Sequence, residues 1–226
     1  MRAVLLDGLG TLLELAPPAP ALARALRVEY GLRLAEADAQ RAFAAEIAYY
    51  RARHHEGRDA ATLADLRRRC AEVLRDALPA ALAGELSTAQ LTAAMLGSLR
   101  FEVYPDVPAT LAELRARGLS LVVVSNWDVS LPAVLADVGL AGALDGVLTS
   151  AALGAPKPAV AIFEAALALA GVAAEQAVHV GDSLAHDVAG ARAAGVAPVL
   201  LRRAGVGGPP APPEVPAISS LAELLT

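Results

Sequence analysis

Six polar residues of this chain are placed to do chemistry: Asp7, Ser125, Asn126, Lys157, Asp182 and Asp187. Asp7 ends the apolar run Val4-Leu5-Leu6 and opens Gly8-Leu9-Gly10-Thr11. Ser125-Asn126 follow the valine-rich run Leu121 to Val124. Lys157 stands between Pro156 and Pro158. Asp182 lies in Gly181-Asp182-Ser183, shortly before Asp187. Two carboxylates from neighbouring strands would hold a hard cation such as Mg²⁺, which takes oxygen ligands and keeps several waters. The backbone carbonyl of Leu9 is a further candidate metal ligand. Ser125, with Asn126 and nearby backbone amides, would bind phosphate oxygens, and Lys157 would offset the gathered negative charge. Asp7 could then attack phosphorus in line and form an aspartyl-phosphate.

These residues need a scaffold that brings distant loops together. Residues 3–6 read as a buried strand, and residues 119–124 as one apolar on both faces. Shorter strands are expected at 146–149, 177–180 and 199–201, with helices between them. That alternation predicts an α/β fold, a Rossmann-like doubly wound parallel sheet whose carboxyl ends share one rim. Helical spacing of apolar residues dominates the stretch between the first and second strands. Helices are expected from Leu22 to Gly31, from Ala35 to His55, from an Asp59 cap to Leu78, and from Ser87 through Leu99. Ser87 with Gln90 matches a capping box. The chain is therefore expected to comprise a core of residues 1–14 and 101–226 and an all-α four-helix insert of residues 15–100. Residues 205–216 read as a turn-rich surface segment, and Ser219 and Ser220 as caps of a short last helix.

Composition narrows the function. The chain has 226 residues, 56% hydrophobic and 19% charged, with a mean hydropathy of +0.48. Its net charge of −5 argues against a nucleic-acid partner. No apolar run reaches the roughly 18 residues of a membrane span. The opening apolar run is too short for a signal peptide, so the expected location is the cytoplasm. Cys70 is the single cysteine, so no internal disulfide or cysteine metal cluster is possible. Lys157 is the sole lysine and Asn126 the sole asparagine in an arginine- and alanine-rich chain. Both fall where loops should follow strands.

The four segments, in this order and with a helical insert between the first and second, resemble the haloacid dehalogenase superfamily in its branch with a helical cap. The match runs through Asp7-Gly8-Leu9-Gly10-Thr11, Ser125, Lys157 in Gly154-Ala155-Pro156-Lys157-Pro158, and Gly181-Asp182-Ser183 with Asp187. The resemblance implies a phosphoric monoester hydrolase dependent on Mg²⁺. It makes Asp7 the nucleophile and a metal ligand, and Ser125 and Lys157 the phosphate-binding pair. Asp182 becomes a metal ligand, and Asp187 its support or that of Lys157. The first motif departs from the family's phosphatases at Leu9, where they usually carry a second aspartate that protonates the leaving oxygen. The family's dehalogenases also lack that aspartate but need no metal, whereas Asp182 matches the metal-dependent form.

The expected substrate is a small phosphorylated metabolite, and the expected assembly a monomer or weak homodimer. A metal-independent 2-haloacid dehalogenase and a phosphate-binding protein with little turnover are the competing readings. Single residues also admit blander roles. Ser125 could cap the following helix, and Asp187 could be a helix N-terminal charge. His179 reads as a satisfied core histidine. His54 and His55 read as part of a solvated face, with a minority reading in which one closes over the site.

Overall fold

The computed structural model describes residues 1–205 and 211–225. Contacts divide the chain into two compact units, Met1–Glu14 with Glu102–Thr226, and Leu15–Phe101. The segment expected to be turn-rich, 205–216, lies in part outside the described residues.

The chain opens with β1 (Ala3–Leu6), buried at every position. After Asp7 it turns into β2 (Leu13–Leu15). Four substantial helices follow: α1 (Pro18–Tyr30), α2 (Glu36–Arg53), α3 (Ala60–Asp76) and, after the single turn α4 (Ala80–Ala83), α5 (Thr88–Ser98). Helix α1 packs on α2, α2 on α3, α3 on α5 and α5 back on α1, closing a four-helix ring. Its centre is apolar, with Leu22, Leu26, Phe43, Leu66, Leu91 and Met95 among the buried side chains. Truncating one of these, such as Leu66, to alanine costs about 2–5 kcal/mol. Cys70 is buried in the same cluster.

The helix ends follow from local chemistry. The Ser87 hydroxyl accepts from Gln90 N–H at 3.2 Å while Gln90 Oε1 accepts from Ser87 N–H at 3.0 Å, a reciprocal capping box. Asp59 and Thr62 form a second such box, with Thr62 N–H donating to Asp59 Oδ1 at 2.9 Å. Helix α2 is shorter than its apolar spacing predicts: it stops at Arg53, and His54–Glu56 form a 3₁₀ turn.

Strand β3 (Phe101–Val103) pairs with β2 in a two-stranded sheet. The remainder alternates: α6 (Val107–Ala116), β4 (Ser120–Ser125), α7 (Leu131–Asp137), β5 (Gly146–Thr149), α8 (Ser150–Leu153), α9 (Val160–Ala170) and β6 (Ala177–Gly181). A π-turn at Leu184–Val188 then runs into α10 (Ala189–Ala193), β7 (Ala197–Leu201) and β8 (Ala217–Ile218). A 3₁₀ turn at Leu221–Leu225 closes the described chain. The helix expected between the strands at 177–180 and 199–201 is thus entered through a π-turn.

The main sheet has the order β5-β4-β1-β6-β7-β8, and every pairing in it is parallel. Leu6 is level with Val123 on one side and Val180 on the other. The chain reverses its direction of strand addition at β1, so the loops after β1, β4 and β6 meet at a topological switch point, where ligands bind in open α/β sheets. One face of the sheet is covered by α9 and α10, through Ile162, Phe163, Ala166 and Ala191 against Leu5, Val122 and Val124. No described helix is long and apolar enough to cross a membrane.

Candidate active site

Asp7 is placed by the ladder itself. Its N–H donates to the Val180 carbonyl at 2.9 Å, so its side chain leaves the sheet one residue past the end of β1. Gly8 follows, close to Ser125: a Cβ on Gly8 would stand 3.1 Å from the Ser125 hydroxyl oxygen. That hydroxyl donates to Asp7 Oδ1 at 3.0 Å. The Lys157 ammonium donates to the same oxygen at 2.6 Å and to Asp187 Oδ1 at 2.5 Å. Asp7, Ser125, Lys157 and Asp187 are all buried, so their mutual contacts replace the water they lose.

Two glycines make room for the other carboxylates. Gly10 has φ +85°, and a Cβ on it would collide with Asp182 Oδ2. At Gly181 a Cβ would collide with the carboxyl of Asp187. Asp187 lies on the π-turn, a deviation that recurs at functional sites. Ser183 N–H donates to its Oδ2 at 2.9 Å, and His179 Nε2 lies 2.9 Å from its Oδ1. One carboxyl oxygen each of Asp7, Asp182 and Asp187 falls within 4.8 Å of the others.

The charges set each other's protonation. Burial pushes the Asp182 carboxyl up to about 6, with the neighbouring charges of Asp7 and Asp187 adding to the shift. Burial also raises Asp7, against the pull of the Lys157 ammonium. For Asp187, burial acts upward, but Lys157 and the His179 contact outweigh it and hold the carboxyl well below its ordinary range. Burial works against the charged form of Lys157, yet Asp7 and Asp187 together raise its pKa. Carboxylates held this close repel one another. A hard dication bound there would relieve that repulsion, and the oxygen-only donor set would suit Mg²⁺. Gly10 leaves the space that the Asp182 carboxylate occupies.

The structure brings Asp7, Ser125, Lys157, Asp182 and Asp187 together at the rim, with Leu9 in the loop leaving Asp7. Asn126 has a different engagement from the substrate contact expected of it. Its Oδ1 accepts from Lys157 N–H at 2.7 Å, and its Nδ2 donates to the Lys157 carbonyl at 3.0 Å. It grips the Lys157 backbone, whose peptide bond to Pro158 is cis. His179 was expected to be a satisfied core residue. It is fully buried, but its Nε2 faces Asp187 and its Nδ1 has no hydrogen-bond partner among the described residues. The sequence carries no motif for it; the only signal is a polar residue inside an apolar strand. Two arginines after β7 also reach this region. Arg202 donates to the Asp182 carbonyl at 2.7 Å. Arg203 donates to the Thr11 carbonyl at 2.6 Å and to Asp106 at 2.7 Å. His54 and His55 lie in the helical unit, edge to face at 5.9 Å between ring centres.

Known proteins resemble this chain at both levels. The bovine (Bos taurus) haloacid dehalogenase-like hydrolase domain-containing protein 3 is 48% identical over 96 residues, which cover 42% of this chain and 38% of that protein. The phosphoserine phosphatase of Thermus thermophilus is 43% identical over 105 residues, 46% of this chain and 42% of that enzyme. The chain therefore spans less than half the length of these curated relatives. Among solved structures, a 2-haloacid dehalogenase from Pseudomonas syringae superposes with a TM-score of 0.66 at 27% identity, covering 100% of this chain and 96% of that one. The haloacid dehalogenase-like hydrolase family matches residues 1–195, and with that span, this sheet and this rim the chain belongs to that family.

Proposed function

We propose that this chain is a Mg²⁺-dependent phosphoric monoester hydrolase acting on a small phosphorylated metabolite, with Asp7 as nucleophile. The observation that carries the reading is the shared contact of Asp7 and Asp187 with one buried ammonium, Lys157, inside a group of three carboxylates. A carboxylate that only ended a strand would not need that company. The similarity to a phosphatase supports the same reaction class.

Asp7, Asp182 and the Leu9 carbonyl would hold Mg²⁺, which when bound supplies positive charge to the phosphoryl oxygens. Ser125 and Lys157 orient the phosphoryl group and offset its charge. An Asp7 carboxylate oxygen forms a bond to phosphorus, the phosphorus–ester oxygen bond breaks, and the electron pair leaves with that oxygen. Water then attacks phosphorus, the Asp7–phosphorus bond breaks, and inorganic phosphate departs. Asp187 and Asn126 hold Lys157, one at the ammonium and one at the backbone. The helical unit, Leu15–Phe101, would serve as the cap that selects the substrate.

Leu9 cannot protonate the leaving oxygen. Missing general acid help typically costs about 10²–10⁴ in rate, so leaving groups of low pKa are favoured. The test compares p-nitrophenyl phosphate with a sugar phosphate, with and without Mg²⁺, in wild type and Asp7→Asn. Faster turnover of the aryl ester, dependent on Mg²⁺ and on Asp7, supports the reading. Equal rates on the two esters count against the leaving-group argument.

Leu9 also favours a second reading, a 2-haloacid dehalogenase, because halide departs without a proton. Release of chloride from chloroacetate in the presence of chelator would establish it in place of the first. Ligand stabilisation by phosphate and Mg²⁺ without product would instead indicate a binding protein.

A further inference from the structure

We propose that His179 is a positioning residue, which holds Asp187 so that Asp187 in turn holds Lys157 against Asp7. Its kinetic consequence rests on the hydrolase reading above; the contact itself does not.

His179 sits in β6 between Leu5 of β1 and Pro198 of β7, with no exposed surface. An apolar branched residue would fill such a position without loss. A buried imidazole has to be desolvated, which costs free energy unless its polar atoms are satisfied. Among the described residues the ring makes one hydrogen bond, from Nε2 to Asp187 Oδ1 at 2.9 Å. A carboxylate there requires Nε2 to carry a proton. Nδ1 has no partner among the described residues, and the ring is satisfied on the side that faces Asp187.

The ring is also fixed from behind. Phe163 of α9 meets it edge to face, with centroids 5.0 Å apart and planes at 90°. Phe163 in turn fills the space over Gly190, where a Cβ would run into its ring and into the Pro158 backbone. Helix α9 thus packs, through Phe163, on the imidazole that β6 carries. Asp187 then receives three donors of different stiffness. Ser183 N–H fixes Oδ2, while His179 and Lys157 share Oδ1. Of the two on Oδ1, only the imidazole is rooted in a rigid strand. Without it the carboxylate can swing toward the flexible ammonium, and Lys157 loses its alignment with Asp7. Outer hydrogen bonds of this kind orient the groups that touch the ligand.

The test uses the fact that Lys157 is the only lysine. Lysine labelled with ¹⁵N gives a single side-chain Nζ resonance for this 226-residue chain, independent of turnover. His179→Leu should shift that resonance and lower kcat on p-nitrophenyl phosphate about 10- to 100-fold, the range for losing such a second contact. His179→Gln, whose amide can donate from the same reach, should restore both. If His179→Leu does not fold, His179→Asn, whose amide is too short to reach Asp187, takes its place. An unchanged Lys157 resonance in a folded variant lacking the donor overturns the proposal, as does a Gln variant no better than Leu. Wild type inactive on p-nitrophenyl phosphate would count against the hydrolase reading, while the Lys157 resonance still decides the contact.

Discussion

Asn126 closes a two-point clamp on the backbone of Lys157, accepting from its N–H at 2.7 Å and donating to its carbonyl at 3.0 Å. The sole asparagine therefore serves the sole lysine. The loops after β4 and β5 are joined by this pair, and Ser125, next to Asn126, reaches Asp7. Asn126→Ala removes both bonds, each worth about 0.5–1.5 kcal/mol net. The variant should lose about 1–3 kcal/mol of stability in urea unfolding, and kcat should fall more than KM rises.

Gly10 is a second point where backbone and site meet. Its φ of +85° and its approach to Asp182 leave no room for a side chain. Gly10→Ala is penalised by about 1–2 kcal/mol for the left-handed backbone and displaces the Asp182 carboxylate. Thermal stabilisation by Mg²⁺, measured across a concentration series, should be weakened or lost in Gly10→Ala. Wild type should show a saturable shift.

Much of this arrangement is readable in the sequence, for definite reasons. Strands β1 and β4 are buried on both faces, so they read as unbroken apolar runs. Helix caps such as Ser87 with Gln90 are local and so are legible. Strands β2, β3 and β8 have two or three residues each, too few for a period to show. Contacts made by residues outside the four motif segments are harder still. His179 and Asp187 are brought together by a π-turn that no pattern announces, and Arg203 meets Asp106 across 97 positions of sequence.

Leu9 can be tested by restoring what it lacks. Leu9→Asp places a carboxyl where the family's phosphatases carry their proton donor. Turnover of a sugar phosphate should rise by up to about 10²-fold, the lower end of general acid–base contributions. Turnover of p-nitrophenyl phosphate, whose leaving group needs little protonation, should change much less. The ratio of the two kcat/KM values is the measurement.

Asp106 gives the core unit an acid-sensitive tie. Burial acts to raise its carboxyl, but hydrogen bonds from Arg203, Ser220 and the Leu221 N–H outweigh it and lower the pKa below the ordinary value. A carboxyl lowered on folding stabilises above its unfolded pKa, and that contribution disappears as pH falls through the folded value. Wild type should therefore lose stability below about pH 4, the ordinary carboxyl range. Asp106→Asn should be less stable at pH 7, by about 1–3 kcal/mol for the unpaired buried donors, and should lose less on acidification. Urea unfolding at pH 7 and at pH 3.5 measures both.

The central claim is that Asp7 carries the phosphoryl group. Acid-quenching the enzyme during turnover with Mg²⁺ and reducing it with borohydride converts an aspartyl-phosphate to the corresponding alcohol. Peptide mapping by mass spectrometry then locates the converted residue. Conversion is expected at position 7 in wild type and none in Asp7→Asn, which should also be inactive. Turnover that proceeds with Asp7 unmodified, or that survives Asp7→Asn, would contradict it.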